Sequence, residues 1–247
     1  MRPRVLPSVS VVIPARDDAV ALDRCLRALA RQTVAPLEVV VVDNASSDDT
    51  AAVASSHGAR VVHEPRPGIP MAAAAGYDAA RGEVIARCDA DTLPARDWVE
   101  RLAANLANGR LDAVTGVGLF HDLPRGLRGL STIGYLGSYY LFSHLALGHT
   151  ALWGSNMAVR RSAWLDVRED VHRDLAEVHD DMDLAFVLGP GRRIRLDPRI
   201  RVGVSARSLH GRAQRRRRFQ RARHTLEVNW ARQPPWLRWR DRFNRSR

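Results

Sequence analysis

Lysine is absent from the chain, so its formal charge of +11 at neutral pH is carried wholly by arginine. Arginine in place of lysine, beside abundant alanine, follows from a GC-rich coding sequence as readily as from selection for guanidinium chemistry. Its distribution is the informative part. The stretch from Gly211 to Arg247 holds thirteen arginines against Glu227 and Asp241, so an anionic partner is expected at this end. Cysteine is nearly missing too. Cys25 and Cys88 have no second cysteine or histidine at metal-ligand spacing, which excludes a zinc-type site and predicts reduced, partly buried thiols. The opening MRPRVLPSVSVVIP lacks the uninterrupted apolar region and small-residue cleavage site of a secretory signal, and its apolar run reads as a strand, so a cytosolic protein is expected. No internal repeat and no low-complexity linker precede the arginine-rich end. What is present is 247 residues with 45% hydrophobic content, long enough for a sizeable core and suited to one α/β domain.

Val9 to Ile13 and Leu37 to Val42 are short β-branched runs bounded by turn signals, as expected of inner parallel strands buried on both faces. Between them, Val20, Leu22, Cys25, Leu26 and Leu29 recur at helical spacing. The unit repeats: Ser47 to Thr50 can cap a helix to about His57, and Ala59 to His63 is the next strand. An alanine-rich helix from Pro70 to Arg81 leads to a strand from Glu83 to Cys88. This alternation predicts a doubly wound, mostly parallel sheet flanked by helices, with its ligand site at the carboxyl ends of the strands. Further on, Asp97 to Asn108 reads as a helix and Asp112 to Phe120 as a strand. Gly129 to Leu147 is apolar and aromatic, but Ser131, Thr132, Gly134, Gly137 and Ser138 interrupt it. Those interruptions favour a core or interfacial helix over a membrane span, which needs about 20 predominantly apolar residues.

Five stretches carry candidate chemistry. In CDADTLP, Asp89 and Asp91 stand one residue apart just past a strand, and in a loop the two carboxylates can converge on one Mg2+ or Mn2+ whose shell is completed by water and phosphate oxygens; taken alone, the motif reads equally as a polar turn. In VVVVDNASSDDT, Asp43 at a strand's carboxyl end can accept a hydrogen bond from a nucleobase, whereas the serines and Asp48 are accounted for by capping. At the first strand's end Arg16 can stack on a base or lie on the surface. HDDMDLAF clusters Asp180, Asp181 and Asp183, and since carboxylates close together disfavour one another's ionisation, one of such a cluster can act as a base toward an acceptor hydroxyl; equally, aspartates in a first helical turn favour the dipole. In LWGSNMAVRR, Trp153, Gly154, Ser155 and Asn156 can line an acceptor pocket or simply form a turn.

Together and in this order, VSVVIPARDD, VVVVDNASSDDT, CDADTLP, WGSNMAVRR and HDDMDLAF resemble the inverting family 2 glycosyltransferases of the GT-A fold, from Val9 to Arg207. The resemblance implies that Pro14, Ala15, Arg16 and Asp43 hold the nucleoside of a nucleotide-sugar donor, with uridine the base it favours, that Asp89 faces ribose or diphosphate, and that Asp91 is the main metal ligand. It implies Asp181 as catalytic base and Asp180, Trp153, Gly154, Ser155 and Asn156 on the acceptor side. The family's Arg-Asn pair before the metal strand is replaced by alanine, at Ala73 and Ala74. Gln214 followed by Arg215 to Arg218 and Phe219 is a loose echo of the processive signature Gln-x-x-Arg-Trp, so a non-processive enzyme is expected.

The competing readings are a nucleotidyltransferase, disfavoured because VVIPARDD lacks a glycine-rich phosphate loop, and an inactive nucleotide-sugar or anionic-surface binding protein. Residues 1–210 are expected to form the catalytic domain and 211–247 an arginine- and tryptophan-rich extension. That extension, with Trp230, Trp236 and Trp239, suits an anionic membrane surface better than nucleic acid, because the resemblance implies a lipid-linked or cell-envelope glycan acceptor. A cytoplasmic protein, peripheral at the inner face of the plasma membrane, is the expectation.

Overall fold

The apolar runs become strands close to where their pattern places them. In the computed structural model, which describes residues 5–206 and 211–245, β1 (Val9–Ala15), β2 (Glu38–Asp43), β3 (Arg60–His63) and β4 (Val84–Arg87) are parallel neighbours in the order β3-β2-β1-β4. Alternation along β1 divides its side chains between the two faces. Val11 and Ile13 pack with Leu22, Cys25, Leu26 and Leu29 of α1 (Ala19–Leu29). Val12 packs on the opposite face with Ala72, Ala73 and Tyr77 of α3 (Ile69–Ala79). Helix α2 (Thr50–Ser56) connects β2 to β3; its N-cap is Asp49, which makes no side-chain cap bond, and it is Asp48, one residue earlier, that accepts the Thr50 N–H, so the expected capping by Asp48 and the serines is not what the structure shows. Both cysteines are fully buried, with their sulfurs 3.9 Å apart.

Beyond β4 the sheet becomes mixed. The two-residue β5 (Leu93–Pro94) precedes α4 (Trp98–Leu106), whose Trp98 is fully buried. Strand β6 (Ala113–Phe120) runs antiparallel to β7 (Met157–Arg160), which runs antiparallel to β4, whereas β8 (Ile194–Val204) is parallel to β6 and carries β5 on its edge. The eight strands form one sheet in the order β3-β2-β1-β4-β7-β6-β8-β5. Antiparallel β6 and β7 are the part that an apolar run cannot announce, because strand direction is set by the connections and not by side-chain pattern.

The interrupted apolar stretch belongs to α5 (Arg125–Leu147), longer than its apolar part. Its inner side packs over β6, where the Tyr140 hydroxyl donates to the Gly116 carbonyl at 2.7 Å and the Tyr139 hydroxyl donates to that of Leu152. Helices α6 (Arg161–Val167) and α7 (Asp180–Leu188) follow β7.

The expected boundary between residues 210 and 211 adjoins residues 207–210, which lie outside the described residues, as do residues 246–247 of the expected extension. Most of the arginine-rich end forms α8 (Arg212–Arg232) and α9 (Pro235–Arg245). Both dock on the α/β layers. Asn229 of α8 donates to buried Asp183 of α7 at 2.8 Å, and the Thr225 hydroxyl accepts the His179 N–H. On α9, Arg238 is 3% exposed, donates to the carbonyls of Leu147 and Phe186, and lies over the Phe186 ring.

His149 sits beneath this anchor. Its Nδ1 bonds the Thr150 carbonyl and its Nε2 faces Arg238 at 3.3 Å, the arrangement of a neutral ring with Nδ1 protonated. Burial, then the charges of Arg238, Arg242 and His144, pull its pKa down to about 4. A depressed histidine pKa contributes stability that is present above the unfolded value of about 6.5 and is lost as pH falls through 4. Urea midpoints measured from pH 7 to pH 4 should therefore decline, by an amount of order 3 kcal/mol from this group. His149→Gln should flatten that part of the decline.

Candidate active site

Parallel strands open their carboxyl ends on one side, and there a cleft of about 600 Å3 forms. Pro14, Ala15 and Arg16 from the end of β1, Asn44 from the end of β2, and Asp89, Ala90 and Asp91 after β4 line one part of it. Asp18, Ile69 and Ala72 also border it, and Phe120, Tyr135, Trp153, Ser155, Val204, Ser205, Gln214 and Arg218 line the rest. The register explains the first group, since Ala15 pairs with Asp43 and brings the two strand ends level. The loops beyond interlock: Asp17 accepts the N–H and hydroxyl of Ser47, and Asp48 accepts the Ala19 N–H.

The cleft gathers Pro14, Ala15, Arg16, Asp89, Asp91, Trp153 and Ser155, but not every residue that the sequence put forward. Asp43 is not on the wall. One of its oxygens accepts the Ser46 N–H and the other meets His63 at 3.2 Å, so it supports the loop, while neighbouring Asn44 reaches the cleft. Asn156, expected on the acceptor side, is fully buried. Its amide donates to the carbonyls of Val117 and Ile200 and its oxygen accepts from the Trp98 indole, which makes it a strut between β6, β8 and α4.

Asp180, also expected on the acceptor side, points away from the cleft wall into an ion pair with Arg87. Sequence reading passed over Arg87. It ends β4, its side chain is only 4% exposed, and it also meets Asp89 at 3.3 Å. A signal was available: an arginine inside a strand expected to be buried on both faces needs a buried anion. Burial pushes the Asp180 carboxyl up to about 7 against the opposing pull of Arg87, and the charges of Asp181 and Asp89 add to the rise. Ala73 and Ala74, with Tyr77 and Asp180, border a void of only about 20 Å3, so no cation from α3 enters this region and the guanidinium beside Asp180 comes from β4.

Asp181 is the second residue of α7, next to this pair. Its Oδ2 accepts the Gly154 N–H at 2.7 Å, and its Oδ1 accepts the Met182 N–H. The carboxylate therefore reaches the peptide between two wall residues, Trp153 and Ser155. Gly154 is required by space: a Cβ there would stand 2.6 Å from Arg87 Nη1. At Gly118 a Cβ would stand 2.4 Å from the Trp153 ring, so β6 lets that indole lie against its backbone. The Ser155 hydroxyl donates to Asp89 Oδ2. Asp89 is thus held by Ser155 and Arg87, and both it and Asp91 line the cleft. Among the described residues no group of three or more His, Cys, Asp or Glu could hold a metal ion. A cation here would need oxygens from a substrate.

Gln214 and Arg218, four residues apart on one face of α8, close the cleft, and Arg218 donates to the Tyr135 hydroxyl at 2.6 Å. The glutamine echo in the sequence thus falls on wall residues. Tyr135 and Phe120 carried no motif and were not foreseen.

The sequence matches the profile described as glycosyl transferase family 2 over residues 10–167, more than half of the chain. An uncharacterized glycosyltransferase of Mycobacterium tuberculosis is 44% identical over 109 residues, covering 44% of this chain and 48% of the relative. Glycosyltransferase AglE of Haloferax volcanii is 31% identical over 119 residues, covering 45% of this chain and 39% of that protein. The matches thus span about half or less of the length of these relatives. Among solved structures, mannosyltransferase PcManGT from Pyrobaculum calidifontis, in complex with GDP-Man and Mn2+, superposes with a TM-score of 0.70 at 23% identity over 95% of this chain and 68% of that chain. TarS of S. aureus superposes with a TM-score of 0.63 at 16% identity over 81% of this chain and 37% of that chain. Both likenesses are of fold, and together with the profile match they carry the conclusion that the chain belongs to glycosyl transferase family 2.

Proposed function

We propose that this chain is a metal-dependent, inverting, non-processive glycosyltransferase that moves a sugar from a nucleotide diphosphate sugar to a hydroxyl of a lipid-linked or cell-envelope glycan, at the cytoplasmic face of a membrane. The observation that carries the reading is one cleft with Asp91 on its wall and Asp181 bonded to the peptide between wall residues Trp153 and Ser155.

Pro14, Ala15, Arg16 and Asn44 would enclose the nucleoside, with the half-exposed Arg16 guanidinium, 3.6 Å from Asp17, stacking on the base. Arg218 adds permanent positive charge to the wall. Asp91, with Asp89 behind it, would hold Mn2+ or Mg2+; the fit rests on the donor set, because a hard cation takes one or two carboxylates and completes its shell with diphosphate oxygens and water. The ion's chemistry there would be to neutralise charge growing on the departing diphosphate. Asp181 takes the proton of the acceptor hydroxyl as that oxygen bonds the anomeric carbon, and the bond from that carbon to the diphosphate breaks on the opposite face, which inverts the configuration. Trp153 offers an aromatic edge for a sugar ring.

Thermal unfolding against a panel of nucleotide-sugars, with and without Mn2+, tests the donor side. UDP-sugars are the first choice, and GDP-mannose the second because the Pyrobaculum neighbour holds it. One donor should raise the melting temperature only with metal, by mass action on the folded state, and Asp91→Ala should abolish the metal-dependent increment. Stabilisation that survives in Asp91→Ala would remove Asp91 as the ligand.

A further inference from the structure

Helix α5 has two faces with different occupants. Its inner face supplies Tyr135 to the cleft, Tyr140 to β6 and Tyr139 to the Leu152 carbonyl ahead of β7. Its outer face presents Ile133, Leu141, Phe142 and Leu145, which are 72%, 58%, 67% and 53% exposed. Between them lie exposed Gly134, Gly137 and Ser138, and no charged side chain interrupts the stripe. An uncharged stripe several turns long, left open on a protein of this basicity, marks an interaction surface.

The stripe continues onto α9. Trp239 donates its indole N–H to the Leu145 carbonyl at 3.0 Å and packs against His144 on one side and Phe243 on the other, with ring centroids 5.5 and 5.7 Å away. Phe243 is 62% exposed and Trp236, two turns earlier on the same side, 69%. Arginine borders this aromatic end: Arg242 lies over the Trp239 ring and Arg240 is exposed. Asp241, the one acidic residue between Pro235 and Arg245, is engaged by Gln233. Exposed aliphatic and phenylalanine side chains, tryptophan and flanking arginine form the composition that lies in a lipid interface, with guanidinium at the level of anionic headgroups. No helix among the described residues is long and apolar enough to cross a membrane, and α5 buries its opposite side in the protein.

We propose that the outer faces of α5 and α9 form one docking surface that seats the protein on an anionic phospholipid bilayer, with α5 lying in the plane of the interface. This deepens the proposed function and rests on it for one consequence only. Because α5 also walls the cleft through Tyr135, docking would place the cleft beside the membrane plane, where a lipid-linked acceptor arrives by lateral diffusion.

Sedimentation of the full chain with vesicles tests the surface. One set contains phosphatidylcholine alone and the other equal parts of phosphatidylcholine and phosphatidylglycerol. The protein should sediment with the mixed vesicles and much less with the neutral ones. Leu141→Glu/Phe142→Glu, at two exposed positions, should lower the bound fraction about tenfold or more, while its melting temperature and any metal-dependent donor stabilisation stay as in the parent. A variant that binds vesicles as the parent does would overturn the proposal, and so would a parent that stays in solution with both vesicle types. A parent that is dimeric by analytical ultracentrifugation, ignores vesicles and becomes monomeric in the variant would assign the face to a second copy instead. Vesicle binding that is lost in the variant, in a protein that no nucleotide-sugar stabilises, would support the docking surface and count against the proposed function.

Discussion

Asp181→Asn should lower sugar transfer by about two to four orders of magnitude, the usual contribution of a positioned general base, while leaving metal-dependent donor stabilisation intact. The reason is local. The carboxylate is held at both oxygens by the N–H groups of Gly154 and Met182, so it is fixed in place before any acceptor arrives. Asparagine keeps the shape and one carbonyl acceptor but cannot take a proton, and its amide must face one of those donors. A single-turnover transfer assay paired with donor thermal shifts separates loss of chemistry from loss of binding. Transfer at the parental rate would sink the assignment of Asp181 as base. Asp180→Asn should have a smaller effect on rate, because that carboxyl is turned toward Arg87 and away from the cleft.

Arg87→Met should destabilise the fold by about 3–5 kcal/mol, the range for removing one partner of a buried ion pair. The guanidinium is buried among Asp180, Asp89 and Asp181, which all favour its charged form. Without it those carboxylates repel one another in a poorly solvated place. The deficit should depend on pH with a definite sign. Asp180 has a folded pKa raised above its unfolded value, so the stability linked to its proton is present below about 4 and is lost as pH rises through about 7. Removing the guanidinium takes away the largest of the influences that oppose that rise. Chemical denaturation should therefore show Arg87→Met worse at pH 8 than at pH 5, and Asp180→Asn should recover part of the loss in the double variant. A pH-independent deficit would show that Arg87 acts through packing alone.

The first half of the fold was legible because its information is local. β1 and β2 are rich in β-branched apolar residues, α1 between them carries an apolar stripe, and parallel order follows from strand-helix-strand connection. Asp89 and Asp91 were legible for the same reason: a short acidic loop after a buried strand is visible in seven residues. The second half was less so. Arg87 and Asp180 are 93 residues apart, and neither their pairing nor its effect on Asp180 is written in either segment. Asn156 misled because its polarity suggested a ligand, whereas its three partners come from β6, β8 and α4 and satisfy it completely.

The arginine-rich end shows the same division. Composition alone announced its charge and its tryptophans, and that part stands in the sequence. Composition could not say that Arg218 would wall the cleft, that Arg238 would be buried against Phe186, or that Trp239 would join α9 to the outer stripe of α5. The chain by itself determined the order of its strands and helices and the acidic loop at the carboxyl end of β4, because periodicity and turn chemistry act over a few residues. Only the tertiary structure decided which charges are paired, which polar groups face the cleft and which apolar residues remain outside, because each depends on partners brought together from distant parts of the chain.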